Sequence, residues 1–127
     1  MKINIKATGI TLTPAISEYV DKKISSVEKY LLIDPTADTT AIVAQVEVGM
    51  TTHHHRTGEI FKAEVHITGL GLDLYASTEK EDLYAAIDIL RDEIVHEATQ
   101  YKGKKKTLTR RSAEALKNLL KRLGRFN

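Results

Sequence analysis

The 127-residue chain contains no cysteine. That excludes disulfide scaffolding, thiolate metal sites and cysteine nucleophiles, and it fits a reducing compartment. Proline occurs only twice, at Pro14 and Pro35. No stretch approaches the roughly 20 apolar residues that cross a bilayer. The opening MKINIKATG lacks the apolar core of a signal peptide. A cytoplasmic protein without a membrane partner is expected. Glycine-rich phosphate loops, Ser/His/Asp arrangements and the HExxH pattern are also missing. With no catalytic constellation, we expect no enzyme, no cofactor and no small-molecule substrate.

What is present is ordinary globular composition, 42% apolar and 28% charged, in a length that suits one domain with a real core. The net charge of +2 hides an asymmetry. Residues 101–127 carry ten Lys/Arg against one acid, Glu114, a charge of +9. The first hundred residues carry nine basic and sixteen acidic groups, a charge of −7. An acidic body with a basic end is the pattern of a chain that meets a polyanion, or of a tail that binds its own acidic body.

Periodicity orders the elements. Ile3, Ile5 and Ala7 alternate with Lys2, Asn4 and Lys6, a half-buried strand. Thr13-Pro14 is a helix start, with Thr as N-cap and Pro in the first turn. Ile16, Val20, Ile24, Val27 and Leu31 form an apolar stripe, and Asp34-Pro35 is the expected end of that helix. Residues 41–50, 60–68 and 72–77 read as strands, with Gly69-Leu70-Gly71 a tight turn. Short connections make these three antiparallel neighbours.

A long helix follows. Thr78 is the expected N-cap, with Glu81 completing a capping box. Leu83, Ala86, Ile87, Leu90, Ile94, Ala98 and Tyr101 give it one apolar face, and Gly103 is the expected stop. The fold class is therefore α+β, in the order β-α-β-β-β-α. Two helices cover one face of a four-stranded sheet and leave the other to solvent. Residues 1–106 form the domain. Residues 107–127 form a C-terminal extension, expected to be a short, separate basic helix with Ala113, Leu116, Leu119, Leu120 and Leu123 on one side. Such a helix can dock on its own body, on a second copy, on a membrane surface or on RNA.

Three features carry candidate chemistry. The loop His53-His54-His55 offers imidazoles, but no cysteine or regularly spaced carboxylate completes a metal site. With Arg56 it reads as polar surface that touches a phosphate or a base. Asp88, Asp92 and Glu93 lie on the outer side of the long helix, where a solvated face is the ordinary reading. The basic residues make the best site: Lys22, Lys23 and Lys29 on the first helix, Lys102, Lys104, Lys105 and Lys106 after the second, and Arg110 and Arg111 beyond. Placed on one side, they can follow a phosphate backbone, which gives affinity and position but no sequence reading.

The run Glu81-Asp82-Leu83-Tyr84-Ala85-Ala86-Ile87-Asp88 resembles the helix-opening signature of bacterial ribosome hibernation-promoting factors and ribosome-associated translation inhibitors. Ile3-Asn4-Ile5, Leu12-Thr13-Pro14-Ala15-Ile16, Val27-Glu28-Lys29-Tyr30 and Leu74-Tyr75-Ala76-Ser77 are similar to that family too, in the same order and spacing across residues 1–106. The resemblance implies a fold like double-stranded-RNA-binding domains. It implies partners, the small ribosomal subunit through its 16S rRNA and the 70S ribosome. It implies translation blocked by occupancy of the messenger and tRNA channel.

Lys23 sits at a family basic position, and Lys102 and the lysines after it match a Lys-rich region. Glu93, His96 and Gln100 stand where the family is commonly basic. The long form of the family carries a dimerisation domain for which the residues after 106 are too few, so a monomer is expected.

Overall fold

Parallel pairing of the first two strands sets the architecture. In the computed structural model, β1 (Lys2–Thr8) lies parallel to β2 (Val43–Thr51), with Ile3 opposite Ala44 and Ile5 opposite Val46. A parallel neighbour needs a crossover, and α1 (Pro14–Ser25) supplies it. β3 (Ile60–Gly69) and β4 (Leu72–Lys80) then add antiparallel, giving a mixed sheet in the order β1-β2-β3-β4. The last element is α2 (Leu83–Gly124). The structure describes residues 1–32, 34, 36–51 and 58–124, with backbone alone at 106–109 and 123–124.

Alternation decides which sheet face is covered. Ala44, Val46, Val48, Ala63, Val65, Ile67, Leu72, Leu74 and Ala76 point one way and are buried. Val20 and Ile24 of α1 and Leu83, Ala86, Ile87, Leu90, Ile94 and Ala98 of α2 close over them. The other sheet face is polar and wet. There Tyr75 donates to Glu64 at 2.8 Å, His66 meets Asp73 at 2.6 Å, and Lys62 pairs with Glu64 at 3.4 Å. The expected α+β architecture, with both helices on one face, is the observed one.

The β3–β4 connection is a two-residue turn. Leu70 (φ 52°) and Gly71 (φ 78°) both take positive φ, the primed geometry that suits a right-twisted hairpin.

Three boundaries differ from the sequence expectation. α1 ends at Ser25, not at Asp34-Pro35. Ser26 Oγ donates to the Lys23 carbonyl at 2.6 Å, and Val27 N–H turns back to the Ile24 carbonyl at 3.0 Å. A 3-10 turn, Glu28–Tyr30, follows and keeps Val27 and Leu31 buried. Pro35 lies outside the described residues.

Thr78 is not the cap of α2. β4 runs on to Lys80, with Thr78 paired opposite Ala63 and buried beside the core. The inward sequence Leu74, Ala76, Thr78 keeps its strand period, and burial outweighs the capping preference. Asp82 caps instead: its carboxylate accepts from Ala85 N–H at 3.2 Å.

Gly103 does not stop α2, and the basic extension is not a separate helix. One helix of 42 residues runs through it to Gly124. A helical glycine costs about 1 kcal/mol relative to alanine. Lys, Leu, Ala and Glu on the C-terminal side are good helix formers that outweigh it.

Candidate nucleic-acid interface

α1 and α2 lie side by side and run in the same direction. Tyr19 meets Tyr84 edge-to-face at 4.9 Å between ring centres, Lys23 meets Asp88, and Ser26 meets Arg91. Each step down α1 is thus matched by one down α2. This register places the α1 cations beside the first turns of α2.

Lys22 is exposed in the last turn of α1. Lys29 is exposed in the 3-10 turn, its ammonium 5.3 Å from the centre of the Tyr30 ring. Arg91 of α2 reaches the same ring at 5.7 Å and donates from Nε to Ser26 Oγ at 3.1 Å. Lys29 and Arg91 thus both approach the Tyr30 ring, while Arg91 Nη1 is also paired with Asp92 at 3.2 Å. Arg91 was not among the residues singled out from sequence. Its spacing on α2 carries no signal; only the parallel packing brings it to α1.

Lys23 is differently placed. Its ammonium sits 3.2 Å from Asp88 Oδ1 and 5.5 Å from the Tyr19 ring centre. The same oxygen accepts the Tyr19 hydroxyl at 2.5 Å. That hydrogen bond, then Lys23, holds the Asp88 carboxyl below its ordinary range, and the same bond pushes the Tyr19 phenol up. A phosphate reaching Lys23 must compete with Asp88.

The second group follows the body. The Tyr101 hydroxyl donates to the Gly71 carbonyl at 3.1 Å and anchors α2 to the β3–β4 turn. Lys102 is half-buried there, and Lys104 and Lys105 are exposed, with Lys105 5.7 Å from the Tyr101 ring centre. Arg110 and Arg111 are exposed further along. Residues 102–124 carry the helix about 35 Å past that anchor at 1.5 Å per residue. Arg91 and Lys104 are thirteen residues apart, about 20 Å.

The structure therefore brings Lys29 and Arg91 together at Tyr30, with Lys22 in the last turn of α1, and strings Lys102, Lys104, Lys105, Arg110 and Arg111 around α2 further along its axis. Between them α2 is acidic on its outer side, through Asp92, Glu93 and Glu97. His53, His54, His55 and Arg56 lie outside the described residues, as does the side chain of Lys106. No group of three metal-ligating side chains occurs among the described residues.

Residues 3–106 match the family described as Sigma 54 modulation protein / S30EA ribosomal protein. The chain belongs to that family. A ribosome hibernation promoting factor from Klebsiella oxytoca is 31% identical over 106 residues, 84% of this chain and 98% of the relative. A ribosome hibernation promotion factor from Picosynechococcus is 29% identical over 120 residues, 91% of this chain but 58% of that longer protein. Among solved structures, the N-terminal domain of Protein Y from Thermus thermophilus has the same fold. It shows a TM-score of 0.63 at 24% identity, covering 80% of this chain and 99% of that one. The family resemblance read from the helix-two opening and the strand motifs thus holds.

Proposed function

We propose that this chain is a ribosome hibernation and translation-inhibition factor, working by occupancy and not by chemistry. Its target in this reading is the 16S rRNA of the small subunit, in the channel taken by messenger and tRNA, on free small subunits and on 70S ribosomes. Membership of the family across residues 3–106 supports the ribosome as partner. One observation carries the RNA reading: a continuous helix takes a run of cations beyond the body, and a second cationic group sits at the Tyr30 ring near its start. Rigid spacing of that kind suits a phosphate backbone read by shape. In this reading the chain acts as a monomer on the ribosome, with residues 1–106 as the binding unit and the extension as an added phosphate contact.

Co-sedimentation with 30S, 50S and 70S particles at low and moderate salt tests the reading. Stoichiometric travel with 30S and 70S, but not 50S, is the expected result. Absence from every ribosomal fraction at both salts would sink it.

The exposed leucines of the extension favour a second reading, a protein-interaction helix. Binding that scarcely responds to salt would favour it over phosphate contacts.

A further inference from the structure

The sheet has two edges, β1 and β4. β1 carries Lys2 and Lys6, and lysine on an edge strand discourages a further strand. β4 has no such guard before its last residue, Lys80. The two-residue β3–β4 turn decides which of its backbone groups are used. Gly69 and Leu72 flank that turn as a hydrogen-bonded pair, so Leu74, Ala76 and Thr78 also exchange bonds with β3. The N–H and C=O groups of Asp73, Tyr75 and Ser77 therefore point outward. No turn, cap or loop hydrogen bond among the described residues reaches them.

The side chains on both sides of this row have one character. Between β4 and α2 lies an open groove of about 330 Å³, where Ala76 and Ile89 give apolar lining and Glu93 and Glu97 give acid. Asp92 lines it too, but is paired with Arg91 at 3.2 Å. Glu93 and Glu97 are exposed and have no ion-pair partner among the described residues. On the open sheet face Tyr75 is 54% exposed, and its hydroxyl is tied to Glu64 at 2.8 Å, which holds the ring in place. Asp73 lies on the same face. Tyr75 borders both the groove and the dip on the open face, so the two surfaces meet at the edge of β4.

A strand added at the usual spacing, about 4.8 Å from β4, sends alternate side chains into the groove and over Tyr75. The groove takes aliphatic residues against Ala76 and Ile89 and cations at Glu93 and Glu97. The open side takes a cation, which gains from the face of the Tyr75 ring and from Asp73. A second copy of β4 is the wrong occupant, because it sets acids against acids.

We propose that β4 is a docking edge for an extended basic peptide of another protein, added as a fifth strand. Its backbone pairs with Asp73, Tyr75 and Ser77, its aliphatic residues enter the groove, and its lysines or arginines meet Glu93, Glu97 and the Tyr75 ring. This surface is separate from the cations offered to RNA and does not rest on the ribosome reading.

Amide-resolved NMR titration of the full chain with a terminally blocked peptide, RKVRVKR, tests the proposal. Saturable shifts should centre on Asp73, Tyr75, Ser77, Ile89 and Glu93. Glu93→Lys/Glu97→Lys, at exposed positions, should weaken binding about tenfold or more. Ser77→Pro should abolish it, since proline is tolerated where an edge N–H faces solvent and removes the donor. N-methylation of the peptide at alternate residues leaves the protein untouched. One alternate set should abolish binding and the other should leave it, because only one set of amides faces β4. Equal loss from both sets, loss from neither, or no saturable binding would overturn the proposal. Wild type that dimerises through an edge blocked by Ser77→Pro would overturn it in favour of a second copy. Shifts of the same amides by a uridine oligonucleotide, and not by the peptide, would overturn it in favour of RNA.

Discussion

Tyr19 and Asp88, sixty-nine residues apart in sequence, are joined by a 2.5 Å hydrogen bond from the phenol to the carboxylate. The bond fixes the register of α1 on α2, and Lys23 completes it from one turn further along α1. Tyr19→Phe removes the donor and keeps the ring against Tyr84. We expect a lower Tm, with the fold and the far-ultraviolet circular dichroism unchanged. Asp88→Asn should lower Tm as well, yet free Lys23 for phosphate. Its ribosome affinity at low salt should therefore rise or hold while its stability falls. A parallel loss of both would mean that Asp88 only shapes the fold.

Acid should expose the same brace. Asp88 is held low first by Tyr19 and then by Lys23, Glu64 first by Tyr75, and Glu28 first by Thr39. In each case the folded pKa lies below the unfolded one. The stability they add is full above the ordinary carboxylate range near pH 4, and it is lost as pH falls through their folded values. Urea midpoints should be flat between pH 7 and about pH 5.5 and fall steeply below about pH 4. Tyr75→Phe, which removes the largest of the contacts holding Glu64 low and leaves it Lys62, should make that acid loss shallower. A midpoint that rises on acidification would contradict this.

Element type was legible wherever side-chain period was strong. Ala44 to Val48 and Leu90 to Ala98 each mark one buried face, and Ile3 and Ile5 pack partly buried against the same core. Boundaries were less legible because local signals competed with tertiary ones. Thr78 has good capping chemistry, but strand pairing to Ala63 holds it, so the cap passes to Asp82. Gly103 looks like a stop, but its neighbours carry the helix through. Arg91 and the Tyr19–Asp88–Lys23 cluster were invisible for another reason: they exist only once α1 and α2 pack in parallel register.

Two glycines make opposite predictions. Gly69 has φ +113°, and a Cβ there would stand 2.2 Å from the Ala41 carbonyl oxygen and 2.9 Å from Ile42 Cα. Both obstacles are backbone, so they cannot swing aside. Gly69→Ala should cost about 3 kcal/mol or more, from backbone strain and clash together, read as a lower urea midpoint. At Gly103 an added Cβ meets nothing within 4 Å. Gly103→Ala should raise helix content and stabilise the segment by about 0.5–1 kcal/mol. If the junction instead works as a bend when the protein binds, the stiffer variant should bind ribosomes more weakly despite its greater helicity.

The two cationic clusters are separable by salt. Counterion release makes log affinity fall with log salt, and each phosphate contact removed should reduce that slope by about 1. Lys104→Glu/Lys105→Glu should weaken 30S binding and flatten the slope by about 2 if both lysines touch phosphate. Lys22→Glu/Lys29→Glu tests the cluster at the end of α1. The two groups are about 20–25 Å apart along the α2 axis, so a single RNA surface engaging both requires both pairs to matter. Loss confined to the Lys104/Lys105 variant would show that the extension alone meets RNA and that the Tyr30 cluster serves the body. Loss confined to the Lys22/Lys29 variant would assign RNA to the α1 end and leave the extension's cations for a protein surface. Binding with an unaltered slope in both variants would remove the basic clusters from the interface altogether.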